Sequence, residues 1–204
     1  MVTPFLPRRD VLRMAIITES LLALLATVWI WAFSLELGVD FSVDGLLHGV
    51  LAALPLLALN IFTFSRLSRE DSPWPIYNRF KRSVVFPICG DLTVCSALLL
   101  ALASGLAEEL LFRGALQTQF ALWTTPVGGA IVSSALFSYV HFIGSMRQYW
   151  QLALFYLFFG LYFAALLIGT GNLLVPTVTH AFYNFVVILY LRYYEIPSTV
   201  KRLR

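Results

Sequence analysis

Three short groups of residues place charged or polar side chains inside otherwise apolar stretches of this sequence. In chain order they are Glu108-Glu109 with Arg113, Phe137 with His141, and His180 with Asn184. Residues four apart in a helix share a face, so each group can present its side chains together. Carboxylate, imidazole and amide groups are those that activate water and stabilise an oxyanion. The spacing therefore predicts a hydrolytic site formed by three helices.

The two adjacent glutamates are expected to have different partners. Glu109 and Arg113 are four residues apart and can form an ion pair on one helical face. Glu108 is rotated from Glu109 by about 100° and faces elsewhere. We therefore expect Glu109 and Arg113 to form a structural salt bridge, and Glu108 to be the free carboxylate that acts as a general base.

Each motif also has a purely structural interpretation. A single histidine within a membrane helix is often a hydrogen-bond partner for a neighbouring helix. His48 has only this interpretation, since no second polar residue accompanies it in the sequence. The joint occurrence of three separately spaced motifs favours a functional site over packing alone.

The composition excludes most classes of soluble protein. Of the 204 residues 59% are hydrophobic and 12% are charged, and the mean hydropathy is +0.81. Soluble domains carry roughly 25% charged residues, and a core of this size could not bury so much apolar surface. A nucleic-acid binder is excluded as well. The chain is predicted to be an integral membrane protein whose surroundings are the lipid bilayer.

The apolar runs predict an all-α, polytopic transmembrane bundle with about six spans. A spanning helix needs about 20 residues. The runs cover residues 14–35, 45–64, 84–119, 127–142, 150–168 and 173–194. The third run is too long for one span, so we expect a break followed by a span over 98–119. The site is expected to lie between these membrane-embedded helices.

The chain is predicted to form one membrane domain with two regions. Residues 1–83 are the N-terminal region, with two spans and a basic interfacial connector over 65–83. Residues 84–204 are the catalytic region, which carries every motif. Glu19 lies near the start of the first apolar run, where we expect its side chain to reach the membrane interface.

Charge asymmetry predicts the orientation. Six spans bring all basic segments to one side, namely Arg8, Arg9, Arg13, the 65–83 connector, Arg147 and the C-terminal cluster of Lys201, Arg202 and Arg204. The acidic 36–44 connector and the uncharged 169–172 turn fall on the other side. Because basic loops stay in the cytoplasm, both termini are expected to be cytoplasmic. The expected location is the plasma membrane of a prokaryote.

The motifs resemble those of the CPBP family of intramembrane proteases. This family includes the type II CAAX prenyl endopeptidases and bacterial Abi or bacteriocin-processing relatives. Its pattern is Glu-Glu-x-x-x-Arg, Phe-x-x-x-His and His-x-x-x-Asn, which the three motifs match in order. Gly114 after Arg113 also resembles the family's Phe-Arg-Gly. The resemblance covers about residues 98–184, near half of the chain.

The resemblance implies a role for each motif residue. Glu108 and His141 would position and deprotonate the attacking water, and His180 and Asn184 would donate hydrogen bonds to the oxyanion. The supporting residues would be Glu109, Arg113 and Phe137. The implied reaction is hydrolysis of a peptide bond near the C-terminus of prenylated or other membrane-associated peptides.

The use of a metal is left open by the residues. Glu108, His141 and His180 could ligate zinc with one open position, as in a metalloprotease. The same three side chains are equally compatible with activating water without a metal.

The polar core is also compatible with functions of another class. The polar core could belong to a non-catalytic membrane carrier or to a bacteriocin self-immunity factor. Other intramembrane proteases fit the sequence less well: it has no His-Glu-x-x-His motif, Ser104 lacks the glycine of a Gly-x-Ser-Gly motif, and only Asp91 could serve a two-aspartate mechanism.

Overall fold

The computed structural model describes residues 6–67 and 75–196. Within these ranges the fold is all-α with no strand, which confirms the predicted class. The helices are α1 (Arg8–Ala32), α2 (Val43–Leu67), α3 (Pro75–Phe80), α4 (Phe86–Cys89), α5 (Val94–Glu109), α6 (Thr118–Trp123), α7 (Pro126–His141), α8 (Met146–Thr170) and α9 (Leu174–Tyr190). Three π-helical segments, Lys81–Val85, Leu110–Gln117 and Leu191–Glu195, continue α3, α5 and α9. The parts of the predicted basic segments within 68–74 and 197–204 lie outside the described residues.

Five stretches are long and apolar enough to cross a membrane. They are Arg8–Ala32, Val43–Thr63, Val94–Trp123, Met146–Thr170 and Leu174–Glu195. The third stretch joins α5, the π segment Leu110–Gln117 and α6. The remaining predicted span, 127–142, forms α7, whose 16 residues extend only about 24 Å. Since the hydrocarbon core is about 30 Å thick, α7 is a short helix within the bundle.

One end of the bundle, which we call the terminal face, gathers both ends of the described chain. Arg8 N donates a hydrogen bond to Asp91 Oδ2 over 2.9 Å, so the start of α1 lies beside the segment that precedes α5. Arg192 Nε donates to Leu92 O over 3.3 Å, which brings the end of the last span to the same place. The basic residues Arg8 and Arg192 therefore lie at one face.

The opposite end, which we call the turn face, joins two connectors. Leu173 N donates to Gly38 O over 2.8 Å, and Asp40 N donates to Asn172 Oδ1 over 3.0 Å. The acidic connector after α1 and the turn after α8 thus lie together. The stretches that begin at Arg8, Val94 and Met146 run towards the turn face, those that begin at Val43 and Leu174 run back, and the short α7 returns the chain between α6 and α8. Among the described residues, Arg8 and Arg192 lie at the terminal face and Asp40 lies at the turn face, as the charge asymmetry predicts.

The predicted break in the third apolar run lies between α4 and α5. Residues 90–93 are not helical, and α5 begins at Val94. Thr93 caps α5, because its Oγ1 accepts a hydrogen bond from Ser96 N over 3.3 Å. The span therefore starts four residues earlier than position 98 and continues to Trp123.

Small residues set the distance between the helices that carry the site. A Cβ atom at Gly105 of α5 would lie 2.8 Å from the Cβ and backbone N of Ala181 of α9. A Cβ atom at Gly49 of α2 would lie 2.6 Å from Val178 Cβ. Backbones approach this closely only where small residues allow it. The Gly105–Ala181 contact fixes the height of α5 against α9, one turn before Glu109 and next to His180.

This packing generates a stability prediction. Gly105→Ala should lower the free energy of unfolding by about 1–3 kcal/mol, because the added methyl group meets the backbone of α9. Thermal unfolding in detergent micelles measures the change. Gly169→Ala is the matched control, since nothing lies within 4 Å of a Cβ atom there. An equal loss of stability in both variants would contradict the close contact.

Candidate active site

Side chains from all three motifs meet in one cavity of about 250 Å³. Its wall includes Glu108 from α5, Phe137 and His141 from α7, and His180 and Asn184 from α9. Residues of α2, α3 and α8 complete the wall. The sequence-predicted convergence of three helices is therefore present in the structure.

Glu108 lies at the centre of the group. Its Oε2 atom is 3.6 Å from His141 Nε2 and 4.0 Å from His180 Nε2. The residue is only 9% exposed, and within the described part of the chain Oε2 has no hydrogen-bond partner. Glu108 is thus a buried carboxylate with an oxygen available for a bound molecule.

The ring of His141 is held by its own helix and by two aromatic side chains. Its Nδ1 lies 2.8 Å from Phe137 O. A carbonyl oxygen only accepts, so Nδ1 is the donor and Nε2 is directed towards Glu108. The ring centroid lies 4.5 Å from that of Phe137 and 4.7 Å from that of Tyr156. His141 therefore has a fixed orientation although its side chain is partly exposed.

The ring of His180 lies between the two adjacent glutamates. Its Nδ1 donates to Glu109 Oε1 over 2.9 Å, while Nε2 faces Glu108. The ring also stacks on Phe163 of α8, with centroids 4.8 Å apart and planes 14° apart. The spacing predicted only that Glu109 neutralises Arg113. In the structure Glu109 has a further role, because its second oxygen fixes the orientation of a histidine on another helix.

Arg113 is fully buried in the π segment Leu110–Gln117. Its Nε lies 3.2 Å from Glu109 Oε2, so the predicted i, i+4 ion pair is present. Its NH2 donates to Gly160 O of α8 over 2.8 Å. The guanidinium carbon also lies 4.8 Å from the ring centroid of Phe137 and 5.4 Å from that of Phe163. π-Helical turns are rare and occur frequently at functional sites, as this one does.

Asn184 lies one turn after His180 and has a partner on α5. Its Nδ2 donates to Ser104 Oγ over 3.0 Å, and Ser104 Oγ donates in turn to Ala101 O over 3.3 Å. The amide group carries two N–H bonds, so one donor is left for the cavity. No sequence pattern predicts the contact with Ser104, because it joins residues 80 positions apart.

Two other side chains near the site were not identified from the sequence. Tyr156 packs on His141, but it is one of many aromatic residues in apolar runs and nothing in its spacing distinguishes it.

Glu19 was expected to reach the membrane interface, and this expectation is wrong. Its Oε2 is buried, and the carboxylate lies close enough to Glu108 and His180 to interact electrostatically with both. The cause is the start of α1 at Arg8, which places Glu19 three turns into the helix.

The donor set was tested for a metal site. Both histidines donate through Nδ1 and turn Nε2 towards the cavity, an orientation common among metal ligands. Within the described residues, however, no three His, Cys, Asp or Glu side chains converge closely enough to hold a metal ion. Tetrahedral zinc requires ligand atoms about 3.3 Å apart, and Glu108 Oε2 is 4.0 Å from His180 Nε2. The arrangement does not fit tetrahedral zinc.

Comparison with known families agrees with this geometry. The sequence model of the type II CAAX prenyl endopeptidase Rce1-like family matches residues 90–186, a little under half of the chain. The chain carries an Rce1-like domain. The match confirms the resemblance to CPBP proteases, and at the level of the family it supports an intramembrane CAAX-type protease. No curated protein and no solved structure matches the chain.

The Rce1-like domain contains every motif residue but not the whole cavity. α1 and α2 precede residue 90, yet Leu59, Asn60 and Thr63 of α2 line the cavity wall. The site is therefore completed by helices outside the matched segment.

The buried ion pair generates a prediction about the two glutamates. Arg113→Leu should lower the free energy of unfolding by about 3–5 kcal/mol, because it leaves the Glu109 carboxylate buried without its cation. Glu108→Gln is the control, since no Lys or Arg among the described residues forms a salt bridge with Glu108, and it should change stability by less than about 1 kcal/mol. Thermal unfolding of both purified variants measures the difference. Equal destabilisation by the two substitutions would contradict the assignment of Glu109 to the structural ion pair and of Glu108 to proton transfer.

Proposed function

We propose that this protein is an intramembrane endopeptidase that hydrolyses a peptide bond near the C-terminus of prenylated or other membrane-associated peptides. The observation that carries the proposal is the convergence of Glu108 Oε2, which has no partner among the described residues, with Nε2 of His141 and His180. The Rce1-like domain supports the same class of reaction.

The first step is activation of a water molecule. A water bound in the cavity donates one hydrogen bond to Glu108 Oε2 and the other to His141 Nε2, whose lone pair is free because Nδ1 holds the ring proton. Glu108 removes the proton as general base while the water oxygen attacks the carbonyl carbon of the substrate. The 3.6 Å between the two acceptor atoms allows one water to contact both.

The second requirement is stabilisation of the oxyanion. Asn184 offers an amide N–H from the cavity wall, and its bond to Ser104 keeps the amide oriented. His180 donates through Nε2 when its ring is protonated, since Nδ1 is committed to Glu109. The carboxylates of Glu109 and Glu108 on either side of the ring stabilise that cation. Preorganised donors of this kind act without reorganisation during the reaction.

The last step returns the proton. The tetrahedral intermediate collapses as the C–N bond breaks, and Glu108 gives its proton to the leaving nitrogen. The products are a carboxylic acid and an amine, which become a carboxylate and an ammonium group once the acid gives its proton to the amine, and Glu108 is again ionised. Glu109 and Arg113 keep the ring of His180 in place throughout.

The surroundings of the site support a membrane-bound substrate. Most of the cavity wall is apolar, with Leu59, Phe155 and Phe159 among its residues, and it lies among helices long enough to span a bilayer. A lipid-anchored peptide would bring its scissile bond to this depth. We place the terminal face, with Arg8 and Arg192, in the cytoplasm, and the chain in the plasma membrane of a prokaryote.

The decisive experiment compares cleaved peptides in cells that express the wild type or Glu108→Gln. We expect a set of cleavage products with the wild type and none with Glu108→Gln, because this change removes the proton acceptor and keeps the size of the side chain. Glu36→Gln, the same substitution at an exposed position, is the matched control and should retain all products. Unchanged cleavage by Glu108→Gln would favour a carrier or immunity factor that uses the polar core without hydrolysis.

A second experiment tests the oxyanion role of Asn184. Asn184→Leu removes a donor with little change of volume, so kcat should fall by roughly 10²–10³ while KM changes little. Ser104→Ala only loosens the orientation of Asn184 and should have a smaller effect. Metal content is measured on the same preparations. A fully active Asn184→Leu would contradict the role, and activity that rises and falls with bound zinc would favour a metal mechanism.

A further inference from the structure

The cavity contains a second unpartnered acceptor besides Glu108. Among the described residues that line it, two buried side-chain oxygens lack a hydrogen-bond partner, Glu108 Oε2 and Asn60 Oδ1. Buried polar atoms in native proteins nearly always have partners, so each exception calls for an explanation. The proposed function accounts for Glu108 and leaves Asn60 unexplained.

The amide group of Asn60 is held in place by α9. Its Nδ2 donates to Tyr183 Oη over 2.5 Å, which joins α2 to α9 across the cavity. The ring of Tyr183 packs in turn against Phe159, with centroids 5.5 Å apart. This bond uses one of the two N–H groups of the amide, while Oδ1 has no partner among the described residues, so the oxygen is the acceptor that remains for a bound molecule.

The position of this amide relative to the site follows from α9. Tyr183 comes three residues after His180 and directly before Asn184, so it lies about 4.5 Å from His180 along the helix axis. An extended peptide advances about 3.3–3.6 Å per residue. A substrate whose scissile carbonyl lies at His180 and Asn184 would therefore carry a backbone N–H past Asn60 within about two residues of the scissile bond.

The energetics of a peptide in this cavity require such an acceptor. Each backbone N–H that leaves water for an apolar environment loses its hydrogen bond, and an unpaired group is costly. Asn60 Oδ1 is a buried acceptor that lacks a donor among the described residues. One bond between the two atoms satisfies both groups.

We propose that Asn60 is a positioning residue whose amide oxygen accepts a hydrogen bond from a substrate backbone N–H within two residues of the scissile bond. This inference rests on the proposed function for the nature of the substrate. It assigns a role to α2, which lies outside the Rce1-like segment 90–186.

The test uses backbone esters in a defined probe. The probe is a farnesylated peptide that ends in Cys-Val-Ile-Ala, with a series in which one backbone N–H at a time, except that of the scissile bond, is replaced by oxygen. The full chain in detergent should cleave one ester with a KM about tenfold higher than the amide probe and a similar kcat, since a lost hydrogen bond weakens binding by about this factor. If every ester within two residues behaves like the amide, the proposal is wrong.

The variant Asn60→Leu identifies the acceptor. It should raise KM for the amide probe about tenfold and cleave the sensitive ester as well as the amide, because the bond is absent in both cases. His48→Leu is the matched control on the same helix, since His48 is exposed and does not line the cavity, and it should keep the discrimination. If Asn60→Leu does not accumulate, Asn60→Asp replaces it. Because Asn60→Asp keeps an acceptor of the same size, it should still discriminate between the amide and the ester probe. Discrimination by Asn60→Leu equal to the wild type would overturn the proposal.

Binding to Glu108→Gln separates this inference from the proposed function. Kd for the amide and ester probes is measured without turnover on this background, with and without Asn60→Leu. A probe that binds, shows the Asn60-dependent ratio and is not cut by the wild type would contradict the peptidase function and support the Asn60 bond. A probe that the wild type cuts, but whose Kd ratio between ester and amide does not depend on Asn60, would support the peptidase function and contradict the Asn60 bond. A probe that neither binds nor is cut would contradict both.

Discussion

The site depends on a buried positive charge. Arg113 is fully buried in a span, where an isolated cation costs several kcal/mol, so every neighbouring group must compensate it. Glu109 supplies the counter-charge, Gly160 O accepts a hydrogen bond, and the faces of Phe137 and Phe163 lie against the guanidinium. The same groups then orient the chemistry: Glu109 and Phe163 hold the ring of His180, and Phe137 holds that of His141.

This arrangement explains why two adjacent carboxylates have different roles. Glu109 is committed on both oxygens, one to Arg113 and the other to His180, and it does not line the cavity. Glu108 precedes it by one residue and is turned by about 100°, so it faces the two Nε2 atoms and forms no salt bridge with a Lys or Arg among the described residues. A single step along the helix thus separates a group that supports the site from a group available for proton transfer.

Contacts within one helix could be predicted from the sequence, and contacts between helices could not. The Glu109–Arg113 pair and the break before α5 follow from spacing and chain length, and the convergence of the three motifs follows from the resemblance. The bonds Glu109–His180 and Asn184–Ser104 depend on how α5 packs against α9, which the close approach at Gly105 sets. No periodicity encodes that distance. The burial of Glu19 and the shortness of α7 were missed for a similar reason, because both depend on where each helix begins.

The packing of the N-terminal helices argues that the site is not confined to the motif-bearing segment. Thr179 Oγ1, adjacent to His180, donates to Gly49 O of α2 over 2.9 Å, and Tyr162 Oη of α8 donates to Ala52 O over 2.7 Å. The helix that carries Asn60 is therefore bonded to α9, which carries His180, and to α8, whose Phe163 stacks on the ring of His180. Residues 1–83 contain no motif, yet α2 supplies part of the cavity wall and, in Asn60 Oδ1, a buried acceptor that has no partner among the described residues. The motifs supply the reacting groups, and the helices before them shape the space in which a peptide must lie.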